Sequence, residues 1–230
     1  MDKIVAMRSS EKSDDFLTYA KINVVSEKCA YDPGHFALEK WQRPLKVIGS
    51  VRPFTDFEWT VYGDLIVTNE VQKKLAKTHF TGFRFQPVDF FSTTKTPFGR
   101  DSVELEIIGW GGRARKESGV EIIEECPACK RRVFSAYDDP GKIFNADEWD
   151  GSDLFTIWPM PRTYFVSKDV RNWIADNEFT GVRFIEISKL PPTAGHTLTP
   201  RSLESLFDAE IAKRIKERDP DWWYGNNQKR

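Results

Sequence analysis

Apolar and polar positions follow the same short pattern twice along this chain. The segment 66–88, IVTNEVQKKLAKTHFTGFRFQPV, aligns without a gap on 165–187, FVSKDVRNWIADNEFTGVRFIEI, and eight of the 23 positions are identical. Each copy opens on a short apolar run, 65–67 or 164–166, that predicts a strand. A hydroxyl residue follows, Thr68 or Ser167, placed to cap a helix, and then an acid, Glu70 or Asp169, where the helix dipole favours negative charge. Val71 and Leu75, like Val170 and Ile174, stand four apart and predict one buried helical stripe. Gly82 and Gly181 come where the helix has stopped and a positive φ is often needed. The alternation of FRF and VRF then predicts a second strand, with Phe83 and Phe85 on one face and Arg84 on the other. Each copy is a strand–helix–strand unit, and the two predict a pseudo-symmetric pair. Trp173 stands where the first copy has Lys74, and its size predicts packing in the core.

Further strands are predicted over 15–25, 120–125 and 103–110, the last with Val103, Leu105 and Ile107 inward and Glu104 and Glu106 outward. GWGG (109–112) reads as a turn, and 138–153 is turn-rich and acidic. The stretch 190–202 has the composition of a linker. After it, 202–218 predicts one amphipathic helix capped by Ser202, with Leu203, Leu206, Phe207, Ile211 and Ile215 along its stripe. The tail carries Trp222, Trp223 and Tyr224, expected to fold back on the body, although a sticky patch able to support a homodimer is the alternative. The expected architecture is α+β: two strand–helix–strand repeats with additional antiparallel strands and a C-terminal helix. Residues 1–200 form one domain, with repeat units at about 57–90 and 153–190, followed by the helix and aromatic tail at 201–230.

Composition narrows the function. With 40% hydrophobic and 13% aromatic residues, the 230-residue chain can bury a core. Its 34 basic and 35 acidic residues leave a net charge of -1, against a dedicated nucleic-acid or anionic-membrane binder. A membrane-spanning apolar run and a signal-like N-terminus are missing, and three cysteines do not make a secreted disulfide framework, so the chain reads as cytoplasmic. Its three histidines are His35, His79 and His196. His79 aligns with Glu178, which makes it a surface residue, and the familiar nucleophile, phosphate-loop and metalloprotease motifs are not found. The expectation is a protein that is not an enzyme.

EECPACKRR (124–132) is the motif with chemical character. Cys126 and Cys129 flank a tight turn between two predicted strands, the geometry of a zinc knuckle. Zinc requires four ligands, and Cys29 lies in KCAYDPGH with Asp32 and His35 nearby. The candidate site is therefore Cys29, Cys126, Cys129 and one of Asp32 or His35. The alternative is a knuckle without metal, its turn held by backbone hydrogen bonds. The basic 130–132 stretch admits a second reading, a zinc-knuckle nucleic-acid-binding or regulatory module.

A CPxC knuckle, then Asp153, Leu154 and Phe155, then a strand–helix–strand ending in FTGVRFIEI resembles the C-terminal half of the double-CXXCG motif proteins, a bacterial family grouped with immunity proteins. The likeness covers 120–190 well and 60–90 moderately. It departs from the family at Lys130, where the family pattern has glycine, and at Cys29, which lacks its partner cysteine. The resemblance implies a non-enzymatic protein that binds and neutralises a cognate toxin by occluding its active site, through affinity and shape complementarity. A basic toxin cleft would suit an acidic loop, which makes Asp147, Glu148, Trp149, Asp150 and Asp153 the expected toxin contacts.

Overall fold

The computed structural model describes residues 4–10, 17–19, 24–48, 55–92, 99–191 and 195–219. The strands are β1 (Ile4–Ser9), β2 (Thr18–Tyr19), β3 (Val24–Lys28), β4 (Phe36–Trp41), β5 (Leu45–Ile48), β6 (Phe57–Trp59), β7 (Leu65–Thr68), β8 (Phe83–Gln86), β9 (Val88–Phe91), β10 (Ser102–Ile107), β11 (Gly109–Arg113), β12 (Ile122–Glu125), β13 (Arg132–Phe134), β14 (Leu154–Trp158), β15 (Met160–Ser167), β16 (Val182–Glu186) and β17 (Thr197–Leu198). Helix α1 (Asn69–Leu75) follows β7 and α2 (Lys168–Asp176) follows β15, while α3 (Leu203–Leu206) and α4 (Ala209–Arg218) close the described chain. The fold is α+β.

Both repeats form as expected. The Thr68 and Ser167 hydroxyls accept from the Val71 and Val170 amides, and Gly82 and Gly181 take φ of 87° and 88°. The sheets reproduce each other: β6-β7-β10-β8 in one, and β14-β15-β1-β16 within the other, whose outer edge adds β11. Strand β1 thus fills in the second unit the place that β10 fills in the first. The registers agree, with Val5 opposite Val166 as Val103 is opposite Val67, and Met7 opposite Phe184 as Leu105 is opposite Phe85. One core joins the two, with Val67, Val71 and Leu75 packed with Val166, Val170 and Ile174.

The FTG phrase is written twice because each copy grips the other unit. The Asp153 carboxylate at the start of β14 accepts from the Thr81 amide (3.0 Å) and hydroxyl (3.2 Å). Asp56, at the start of β6, does the same for Thr180, at 2.8 Å each. Backbone bonds of 3.1 Å repeat the exchange, from Leu154 N–H to Thr81 O and from Phe57 N–H to Thr180 O. Trp173 packs between the two phrase-leading phenylalanines, 6.1 Å from Phe80 and 5.4 Å from Phe179. Its counterpart Lys74 places its ammonium over Phe179 at 5.1 Å. His79 is exposed, as expected.

Four local expectations change. GWGG is strand β11, parallel to β14, and its glycines serve close approach: a Cβ on Gly109 would stand 2.1 Å from Leu154 O, and one on Gly111 2.3 Å from the Phe155 ring. The C-terminal helix breaks at Phe207, whose backbone is extended so that its ring enters a cluster with Trp110, Leu203 and Ile211; Asp208 then recaps the chain on the Glu210 amide. Ser202 does not cap α3, because its hydroxyl accepts from the Glu39 amide at 2.9 Å. Finally, Glu104 is buried, covered by Arg43. The aromatic tail, with Trp222, Trp223 and Tyr224, and most of 15–25 lie outside the described residues.

Burial pushes the Glu104 carboxyl up to about 8, against the opposing pull of Arg43. The folded chain therefore holds this proton more tightly than the unfolded chain does. Its contribution is fully present below the ordinary carboxylate range and is lost as pH rises from there through about 8. Glu104→Gln is expected to flatten this fall, as chemical denaturation between pH 5 and 9 would show.

Candidate metal centre

Two hairpins distant in sequence meet at four ligand side chains. In the first, Cys29 follows β3 and His35 precedes β4; the Cys29 amide donates to His35 O at 3.1 Å, closing the loop. Asp32 organises that loop, with one carboxylate oxygen accepting from the Gly34 amide at 2.8 Å and the other 3.0 Å from His35 Nδ1. In the second, Cys126 and Cys129 lie on the turn between β12 and β13. That turn is closed by bonds from Cys126 N–H to Arg131 O (2.8 Å) and from Lys130 N–H to Cys126 O (3.0 Å).

The ligand atoms of Cys29, His35, Cys126 and Cys129 all lie within 4.8 Å of one another, a cluster that could hold a metal ion. Cys29 Sγ is 3.8 Å from Cys126 Sγ, and His35 Nε2 is 3.2 Å from Cys129 Sγ. A tetrahedral ion with metal–sulfur bonds of about 2.3 Å sets its sulfurs about 3.8 Å apart. The structure thus brings His35, and not Asp32, into the cluster that could hold an ion. Asp32, the other candidate, fixes the imidazole so that Nε2 faces the thiols, a common device for ligating histidines. Cys29 and Cys126 are buried with Ala37, whereas His35 and Cys129 are half-buried, so the centre is shielded on one side.

The thiols are electrostatically unlike. The Asp32 amide, as hydrogen-bond donor, holds Cys29 down at about 7, whereas burial pushes Cys129 up to about 12. Three thiolates this close require a cation, and the donor set of three sulfurs and one imidazole suits a borderline-soft divalent ion. Asp32→Asn keeps the loop's shape and removes the carboxylate charge behind His35. It is expected to weaken metal affinity about 10- to 100-fold, measured by competition with a chromophoric chelator.

Lys130 has φ of 60°, so the left-handed position at the end of the knuckle persists where the resembled pattern has glycine. A side chain there costs about 1–2 kcal/mol. Its ion pair with Glu125 (3.0 Å) is at the surface and contributes little. Lys130→Gly is accordingly expected to stabilise the protein by about 1 kcal/mol in urea denaturation.

The expected toxin contacts are mostly engaged within the chain. Glu148 bonds Arg113 (2.9 Å) and Arg218 (2.7 Å), and Asp150 accepts from the Trp110 amide (2.9 Å). Asp153 holds Thr81, and Trp149 packs edge-on to Phe144 and tilted against Phe155 while its Nε1 donates to Ser152 O. Asp147 is the most exposed of the five, 3.7 Å from Arg115. The basic side chains beside the knuckle face acids: Lys130 and Arg132 meet Glu125, and Arg131 meets Glu124. Among the described residues, no helix is long and apolar enough to cross a membrane.

No protein-family model matches this chain, and no curated protein matches it.

Proposed function

We propose that this chain is a non-catalytic binding protein of the bacterial cytoplasm that neutralises a toxin partner, and that its metal centre holds a structural zinc ion. The observation that carries the zinc reading is the closed ligand set. Cys29, His35, Cys126 and Cys129 supply four protein ligands, which leaves no coordination position for water or substrate, as structural zinc sites require and catalytic ones do not. The free thiols suit a reducing compartment. The zinc then staples one hairpin to another across 97 residues of chain.

The toxin-neutralising role rests on the resemblance to the double-CXXCG proteins and on the surface beside the knuckle. A groove of about 780 Å³ runs between the acidic segment and β12, lined by Val120, Phe134 and Trp158. Exposed Ile122 stands on its β12 side and Asp147 on the other. An apolar floor with charged edges is the usual make-up of a protein contact. The nucleic-acid alternative draws on Lys130, Arg131 and Arg132, whose charges are already balanced by neighbouring acids.

The test is a tagged pull-down from the native host at moderate salt, with mass spectrometry of the eluate and elemental analysis of the purified chain. Recovery of one stoichiometric protein partner, with one zinc per chain, supports the proposal. Recovery of nucleic acid, or of zinc-loaded protein alone, overturns the toxin-binding part. Absence of zinc from protein purified without chelator overturns the metal part.

A further inference from the structure

A second polar site lies away from the metal centre, in a cavity of about 150 Å³ where the two repeat units face each other beneath α3. Its walls come from distant parts of the sequence: Asp64 beside β7, Arg84 on β8, Glu104 and Glu106 on β10, Thr156 on β14, and Arg162 and Tyr164 on β15. Arg43 and Asp208 complete the rim. The arginines are shared among the acids: Arg84 with Glu106 (2.7 Å) and Asp208 (3.0 Å), Arg162 with Asp64 (3.4 Å), and Arg43 with Glu104. Glu204, also on the rim, is paired with Lys216 at 2.7 Å. Four carboxyl groups therefore face three guanidinium groups, one positive charge short of balance. The guanidiniums of Arg84 and Arg43 stand at the solvent side, with 45% and 36% of their side chains exposed.

Thr156 points to a ligand independently of this charge count. It is 3% exposed, lines the cavity, and its hydroxyl oxygen has no hydrogen-bond partner among the described residues. A buried hydroxyl left in that state has lost its water without a replacement, a cost that a bound donor relieves. Perturbed acids gathered in a cleft have the same meaning.

We propose that this cavity binds a small organic monocation with N–H donors, an alkylguanidinium or alkylammonium head, held by Glu104 and Asp64 and by the Thr156 hydroxyl as acceptor. Burial raises both the Glu104 and the Asp64 carboxyls, so the empty cavity keeps a proton that an arriving cation displaces. Binding is thus an exchange of a cation for a proton and tightens as pH rises. Tyr164, pushed up by burial, stays neutral throughout. The charged groups facing Glu104 are Arg43, Asp64, Glu106 and Arg84, with Arg162 facing Asp64, and the arginines keep their charge over the whole range. This site is independent of the zinc reading and of the toxin reading.

The experiment is calorimetric titration of the full chain with methylguanidinium and methylammonium chlorides at pH 6 to 9. Urea serves as the uncharged isostere, and potassium chloride matches ionic strength. Saturable binding by either organic cation is expected, tightening toward pH 9 with release of about one proton, and none by urea or potassium. Thr156→Val is expected to weaken binding about tenfold, and Glu104→Gln to weaken it and to lessen its pH dependence to the share of Asp64, while each variant alone melts higher than the parent. That opposition of stability and binding is what a merely structural role would not produce. Lack of saturable heat with both cations, an equal response to potassium, or unchanged binding in both variants overturns the proposal.

Discussion

Cys126→Ser is expected to free the hairpin of β3 and β4 while leaving the two-repeat core intact. Cys126 contacts Cys29 across the centre and is almost fully buried, so serine there removes a ligand at the middle of the proposed zinc staple. A two-stranded hairpin has little stability of its own. Strand β3 is largely exposed, and besides the centre the hairpin's ties to the body include the Glu39–Ser202 bond, the surface Arg201–Glu27 pair, the packing of β4 against α3 and that of Val24 against Leu45 and Val47. Structural zinc in small modules supplies on the order of 10 kcal/mol or more, and a large part of that is the free energy of ordering the segments it joins. The loss should be local, because the two-repeat core lies in a separate cluster. Hydrogen exchange is the direct readout. Amides of 24–41 and 122–134 are expected to lose at least about 100-fold in protection, with 65–75 and 164–176 unchanged. Treating the parent with a strong chelator should reproduce the pattern, and zinc should reverse it. Unchanged protection of both hairpins in the variant would show that backbone hydrogen bonds alone hold the knuckle.

Much of this arrangement is legible in the sequence, and the parts that are not share a cause. Helix caps, buried stripes and the FTG turns depend on residues within a few positions of one another, and they form as the pattern predicts. The centre was legible in its cysteines, because a CxxC between strands constrains its own geometry. His35 and Asp32 could not be separated by spacing, since either reaches the site; the Asp32–Gly34 turn decides it by swinging His35 inward. The ungapped 99-residue shift hides the Asp56–Asp153 equivalence, because these lie 97 apart: the β14–β15 hairpin holds two more residues than β6–β7. Nor could the pattern show that β1 completes the second unit, since in the first unit the matching strand follows the helix. Glu104 looked outward because alternation assigns a face without saying what covers it. The cover is Arg43, 61 residues away. The single helix predicted over 202–218 failed for a similar reason: Phe207 finds Trp158 (5.8 Å) by leaving helical geometry, a gain that local periodicity does not register.

Gly181→Ala carries the largest expected loss of global stability, and Gly82→Ala should match it. A Cβ on Gly181 would lie 2.0 Å from Phe57 O and 2.5 Å from the Thr55 hydroxyl; one on Gly82 would lie 2.0 Å from Leu154 O and 2.7 Å from the Ser152 Cβ. Both obstacles are strand backbone belonging to the other repeat unit, so relief requires the interlock to part. Parting it sacrifices the Phe57–Thr180 or Leu154–Thr81 backbone bond and the paired bonds from Asp56 or Asp153. Two or three such bonds at about 1 kcal/mol each, added to about 1–2 kcal/mol for an alanine at positive φ, give roughly 4 kcal/mol per site. Gly151→Ala separates the two causes, because Gly151 has φ of 85° but nothing within 4 Å of its added Cβ. It should cost only the conformational share, about 1–2 kcal/mol. Urea denaturation of the three variants therefore tests the interlock. If Gly181→Ala and Gly82→Ala lose no more than Gly151→Ala, the two FTG phrases are ordinary turns; if they lose several kcal/mol and the double variant fails to fold, each phrase is the clasp of the opposite unit.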